Sequence, residues 1–174
     1  QFRENGIISD KKRFIKKSEY AGYYEQVSTG YNYRMNELSA ALGISQLKKL
    51  KKFINKRNQI AKKYIDELKN FPIQFQKIEK YNLSSYHIMI VKFNINKLKL
   101  NYKQIFNKFR KNRIFVNLHY SALHLNPYFR SLGFKKKQFL NSEDYSKSSL
   151  SVPNYYDLKK SDFNKVIKII KSII

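Results

Sequence analysis

At 174 residues the chain has the length of one domain and can bury a sizeable core, hiding roughly 70% of its unfolded surface. Its make-up, 42% hydrophobic and 28% charged with only five glycines and three prolines, excludes a disordered or low-complexity polymer. The absence of cysteine removes disulfides, thiolate metal sites and cysteine nucleophiles together, and fits a reducing, cytoplasmic setting.

The formal net charge of +24 invites a nucleic-acid partner, but its chemistry argues otherwise. Of the 36 basic residues only seven are arginine and 29 are lysine, whereas base and phosphate recognition favours the planar, bidentate guanidinium. The lysines are scattered among Asn, Ile, Phe and Tyr, the output of an AT-rich coding sequence. No nucleic-acid partner is expected. No apolar run approaches the ~20 residues of a membrane span, so no membrane partner is expected either. The opening residues, Gln1 to Asn5, lack a basic-then-apolar leader and an initiator Met. The chain is expected to begin inside a longer protein.

Residues 1–29 read as irregular loop with short strand or helix pieces, carrying a basic patch (Lys11, Lys12, Arg13, Lys16, Lys17) and a tyrosine cluster (Tyr20, Tyr23, Tyr24). From Asn36 to Lys69 there is no proline, and Leu38, Ala41, Leu42, Leu47, Leu50, Ile54, Ile60, Tyr64, Ile65 and Leu68 trace a helical stripe. Asn36 suits the N-cap, Gly43 is a candidate kink, and Pro72 ends the run. Such a helix is roughly 50 Å long, more than a domain of this size buries alone, so its far face is expected to meet another domain or subunit. Ser85 to Phe93 reads as a buried strand, Asn101 to Asn112 as a helix packed through Tyr102, Ile105, Phe106 and Phe109, and Ile114 to Val116 as a short strand. A loop around Pro127 and Gly133 follows, then a short helix from Asn141 to about Ser149. Leu150 to Pro153 is an extended segment, and Lys160 to Ile174 a final helix with Phe163, Val166, Ile167, Ile170 and Ile174 inward. The fold class expected is α+β hung on one long helix.

Two constellations carry polar chemistry. His119, Tyr120 and His124, with Arg130 and with His87 beside Tyr86 at a strand entrance, resemble the wall of a polar pocket, since such rings stack on bases and bond to phosphates and sugar hydroxyls. Taken singly, each histidine reads as a structural one. His119 and His124 lie five apart on a loop without a nearby acidic ligand, so no metal site is expected. Gly30-Tyr31-Asn32-Tyr33-Arg34 sets an amide and a guanidinium before a helix start, which is either an anion cradle or a plain turn with a surface arginine. Neither paired carboxylates at catalytic spacing, a Gly-x-Ser-x-Gly elbow nor a Walker loop occurs, and no residue is nominated as catalytic.

The order of segments says more than any one of them. Gly30-Tyr-Asn-Tyr-Arg-Met-Asn-Glu-Leu-Ser-Ala-Ala-Leu-Gly-Ile-Ser-Gln-Leu-Lys-Lys-Leu50 resembles the signature of the DegT/DnrJ/StrS aminotransferases. In the family's order follow Arg57-x-x-Ile60-Ala61-x-x-Tyr64, Ser84-Ser-Tyr-His87, His119-Tyr-x-x-Leu-His124-x-x-Pro127-Tyr128, Ser142-Glu143 and Leu150-Ser-Val-Pro153. The stretch from His124 to Phe134 is most similar to the branch that makes the 4-amino sugar precursor of pseudaminic acid. The resemblance implies the small C-terminal domain of a fold-type I enzyme using pyridoxal 5'-phosphate (PLP), with one long interface helix. It implies amino transfer from glutamate to C4 of a UDP-4-keto-6-deoxy-N-acetylhexosamine in a homodimer or with a complementing N-terminal part. Asn32 would bind the cofactor phosphate. Tyr31, Arg34, His119, Tyr120 and His124 would bind the nucleotide sugar, supported by Tyr86 and His87. The family's cofactor-bearing lysine and the aspartate on the pyridine nitrogen lie upstream of Gln1, so the chain alone is expected to be inactive. Two departures stand out: Ser121-Ala122 replaces an Ile-Pro type pair, and Leu140 occupies a common proline position.

The boundaries expected are residues 1–34 for the end of the large PLP domain and interface loop, 35–71 for the connecting helix, and 72–174 for the small domain. The competing functions are a non-catalytic nucleotide-sugar-binding remnant and, further off, a basic nucleic-acid-binding domain.

Overall fold

A computed structural model describes residues 2–16 and 20–174. Lys17, part of the basic patch, lies outside the described residues. The chain divides into two compact units, residues 1–49 and 50–174, and the boundary falls inside the long helix.

In the first unit β1 (Ile7–Ile8) pairs antiparallel with β2 (Glu25–Gln26), and Lys11–Arg13 forms a single 3-10 turn capped by Asp10. The short pieces expected here are present. Gly6 sits at φ +75, where a Cβ would lie 1.8 Å from the Ser28 carbonyl oxygen, so only glycine fits. Glu25 is buried and its carboxylate accepts from the Ile15 and Lys16 amides at 2.7 and 2.8 Å, closing the 15–25 loop.

The helix α1 (Glu37–Leu68) runs 32 residues without a break. Asn36 caps it, its side chain accepting from the Ser39 amide at 2.8 Å, as its position predicts. Gly43 does not interrupt it. The end comes at Leu68, followed by a turn in which the Phe71 amide donates to the Leu68 carbonyl at 3.1 Å. Only the C-terminal part is buried, through Ile60, Ala61, Tyr64 and Leu68.

The second unit is built on an antiparallel sheet ordered β3-β4-β6-β5: β3 (Ile73–Phe75), β4 (Met89–Phe93), β5 (Asn117–Leu118) and β6 (Ser149–Val152). Met89 pairs with Val152 and Val91 with Leu150, while Ile73 pairs with Phe93 and Leu118 with Leu150. Alternation buries Met89, Val91 and Phe93 on one face. Against them pack the end of α1, α2 (Tyr102–Lys111) and α5 (Lys160–Lys171), whose Ile105, Phe109, Val166 and Ile170 complete one apolar cluster. A capping box between Asn101 and Gln104 opens α2. The connection from β5 to β6 carries two short helices, α3 (Pro127–Ser131) and α4 (Leu140–Ser146).

Three sequence expectations are corrected. The strand read from Ser85 begins at Met89, because Tyr86 takes φ +43 and breaks the extended run. Ile114 to Val116 is not a strand: Arg113 sits at φ +55 and Ile114 and Val116 bond locally, so ladder pairing waits until Asn117. The loop at Pro127 holds α3, with the proline at its first turn, where a missing N–H costs nothing.

Candidate functional site

In the first unit the residues of interest follow from backbone pairing. Tyr31 and Tyr33 donate their amides to the carbonyls of Phe2 (2.7 Å) and Arg3 (3.0 Å), and Asn5 donates to Tyr31 (3.0 Å), with Glu4 and Asn32 in an antiparallel bridge. An extended segment alternates its side chains. The Tyr31 and Tyr33 rings accordingly stack at 4.8 Å and 12° on one face, and Asn32 lies on the other. Asn32 and Arg34 are exposed, immediately before the capped start of α1. An amide and a guanidinium there are donors in a positive local field, the requirements of a phosphate or carboxylate.

In the second unit the sheet register distributes the other candidates. The chain leaves β5 at Leu118, level with Leu150 and heading toward the Ser149 end of β6. His119 follows and is buried, and burial pushes its imidazole below the ordinary histidine range toward the neutral form. Its ring lies 4.4 Å from that of Tyr120, which is largely exposed. Tyr86 is fixed at the opposite end of the sheet, where the Asn154 amide donates to its carbonyl at 3.0 Å. Half-buried Tyr86 and exposed His87 thus share no hydrogen bond or ring contact with His119, Tyr120 or His124 among the described residues. The single pocket wall that the sequence suggests is two separate stretches in this unit.

His124 has a different environment from His119. It is buried on a 3-10 turn (Leu123–Leu125), with Nε2 3.0 Å from Glu143 Oε1 and its ring edge-on to Phe139 at 4.9 Å. Glu143 is equally buried and also accepts from the Lys137 amide. The His124 hydrogen bond holds the Glu143 carboxyl below its ordinary value. This pair ties the loop bearing His119 and Tyr120 to α4. The sequence alone does not show this role of Glu143, which stands beside Ser142 in a motif at the start of a short helix. An acid nineteen residues from its partner has no periodic signal. Arg130, on α3, is exposed.

Among the described residues no cluster of three or more His, Cys, Asp or Glu could hold a metal ion, and no helix is long and apolar enough to cross a membrane.

The chain is similar to several known proteins. It is 33% identical over 175 residues to MJ1066 of Methanocaldococcus jannaschii, a match covering 99% of this chain and 45% of that one. It is 28% identical over 189 residues to the UDP-4-amino-4,6-dideoxy-N-acetyl-beta-L-altrosamine transaminase of Campylobacter jejuni, covering 99% and 48%. Among solved structures, Helicobacter pylori PseC, an aminotransferase involved in the biosynthesis of pseudoaminic acid, superposes with a TM-score of 0.76 at 25% identity, covering 99% of this chain and 44% of that one. An aminotransferase from Psychrobacter cryohalolentis shares the fold with a TM-score of 0.82 at 16% identity, covering 99% and 47%. The chain therefore spans less than half the length of the relatives it matches. The α+β class, and a likeness over part of their length to sugar aminotransferases that include an N-acetyl-altrosamine transaminase and PseC, agree with the reading of the sequence. With the family's signature residues at the start of α1 and its model matching residues 1–171, the chain belongs to the DegT/DnrJ/EryC1/StrS aminotransferase family.

Proposed function

We propose that this chain is the C-terminal part of a PLP-dependent aminotransferase that moves an amino group from glutamate to C4 of a UDP-4-keto-6-deoxy-N-acetylhexosamine, in pseudaminic-acid or related nucleotide-sugar synthesis in the cytoplasm. The observation that carries the reading is an unfinished surface at the family signature. Leu38, Leu42, Ile44 and Leu47 are 86, 62, 58 and 67% exposed, directly after the exposed donors Asn32 and Arg34. An apolar stripe of this extent beside an anion-binding pair is what an interface-bound active site leaves when its other half is absent. The other half is a second copy in a homodimer or the large domain of the same protein. On this reading residues 1–34 end the large domain, 35–71 connect, and 72–174 form the small domain.

The donors present fit the cofactor. The Asn32 amide would donate to the PLP phosphate, with Arg34 and the Tyr31 ring along the same rim. PLP, when bound, would carry the amino group and supply the electron sink that stabilises negative charge at the carbon gaining or losing it. Arg34 also neutralises phosphate or carboxylate charge on the nucleotide sugar or the amino donor. His119, held neutral by burial, donates or accepts one hydrogen bond without presenting a charge, and Tyr120 offers a ring and hydroxyl to the sugar or base. His124 contributes through its pairing with Glu143, which sets the loop, and Tyr86 and His87 line a second stretch. The lysine that carries PLP belongs to the complementary part. The deciding experiment mixes or co-expresses this chain with an upstream half and supplies PLP, glutamate and a UDP-4-keto sugar. A yellow complex and a 4-amino product are expected, weakened by Asn32→Ala and Arg34→Ala. A colourless complex with no product overturns the proposal.

A further inference from the structure

The segment Ser84–His87 is bonded from three directions, although it belongs to no helix or strand. From α1, Arg57 Nε donates to the Ser85 carbonyl at 3.0 Å and Asn58 Nδ2 donates to the Ser84 carbonyl at 2.9 Å. From beyond β6, Asn154 Nδ2 donates to the Tyr86 carbonyl at 3.0 Å, and within the segment the Tyr86 amide donates to Ser84 Oγ at 3.1 Å. The ring closes through Tyr64, whose hydroxyl donates to the Pro153 carbonyl at 3.0 Å, so α1 fixes the residue next to Asn154 as well. Asn154 and Tyr64 are buried. These bonds converge on Tyr86, at φ +43, a conformation that strains a bulky L-residue and persists only where surroundings impose it. Three successive carbonyls held by side chains leave His87 exposed at a fixed place beyond a strained residue.

We infer that Arg57, Asn58 and Asn154 are positioning residues, whose shared task is to hold Tyr86 in its left-handed backbone and present Tyr86 and His87 to the nucleotide sugar. This rests on the proposed function for the ligand, while the tether itself stands on the bonds. It also accounts for a sequence pattern: Arg57 and Tyr64 occur seven residues apart, two helical turns, because one face of α1 reaches both the 84–86 segment and Pro153. A side chain lining a site needs its backbone pinned to well under an ångström to act specifically, and hydrogen bonds from rigid elements supply that.

The test uses Asn154→Ala and, in case that variant folds poorly, Arg57→Ala, each in the full-length protein. Amide hydrogen exchange at Tyr86 to Ile88 should quicken about fivefold, the effect of losing one hydrogen bond, with little change in α5. The KM for the UDP-4-keto sugar should rise by about the same factor, while kcat and the KM for glutamate stay within about twofold. Unchanged exchange at Tyr86 to Ile88 in both variants overturns the tether, and faster exchange with an unaltered sugar KM overturns its role in presenting Tyr86 and His87 to the sugar. If the unmodified full-length protein neither binds nor aminates a UDP-4-keto sugar, the functional reading fails, and the exchange measurement alone still decides whether the tether exists.

Discussion

The two ends of α1 carry similar apolar periodicity and meet opposite fates. Toward its C-terminus Ile60, Ala61, Tyr64 and Leu68 are at most 6% exposed and belong to the core, whereas toward its N-terminus Leu38, Leu42, Leu47 and Leu50 are 43–86% exposed. Propensity and capping make both ends helical, since a helix satisfies its backbone whether or not a neighbour covers its side chains. Burial needs a partner. The sheet and α5 provide one for the C-terminal end, and among the described residues none covers the N-terminal end. A stripe on a helix therefore forecasts which residues seek burial, not that they obtain it.

Substitutions at the two ends should separate these roles. The largest loss is expected for Tyr64→Ala, about 3–5 kcal/mol by denaturant unfolding, because it empties a fully buried aromatic site beside Phe163 and breaks the bond to Pro153. A loss below about 1 kcal/mol would mean that the C-terminal end of α1 is not part of the core. Next comes Glu143→Ala, which leaves the buried His124 ring without its acceptor and should lower the melting temperature by on the order of 5 °C. The pH dependence has a definite sign. A carboxyl held below its ordinary value contributes stability above the ordinary carboxylate range, lost as pH falls through its folded value, so the gap between wild type and Glu143→Ala should close at acid pH. The depressed His119 adds to the same trend: the unfolded chain takes up its proton first, so stability falls as pH drops below the ordinary histidine range, and His119→Gln should flatten that limb. At the N-terminal end, Asn36→Ala should cost about 1 kcal/mol through the lost cap, seen as reduced helicity by circular dichroism. Smallest for folding is Leu42→Asn, expected to change stability by no more than about 0.5 kcal/mol while reducing self-association or docking of the missing half in sedimentation. If Leu42→Asn instead unfolds the chain, the contrast between the two ends fails.

The same contrast runs through the candidate site. His119 and His124 look alike in sequence, both on one short loop with tyrosine and leucine around them, yet only His124 is locked to a buried carboxylate. The tethers on Ser84–His87 were half legible. Arg57 and Tyr64 stand in one motif and Ser84–His87 in another, but that the first bonds the second depends on contacts 28 residues apart in sequence. Asn154 gave no sign at all: a polar residue after a strand is ordinarily a turn, and its partner Tyr86 is 68 residues away.

From the order of residues alone came the long helix with its Asn36 cap, the helices at α2 and α5, the buried strand at β4, and the family, because each depends on near neighbours or on a run of adjacent motif positions. The tertiary structure decided where β4 begins, that Asn117 rather than Ile114 enters the sheet, which histidine is paired, and how far apart the Tyr86 and His119 stretches lie. Those outcomes turn on strand register and on side chains meeting across long separations in sequence, and local patterns carry no term for either.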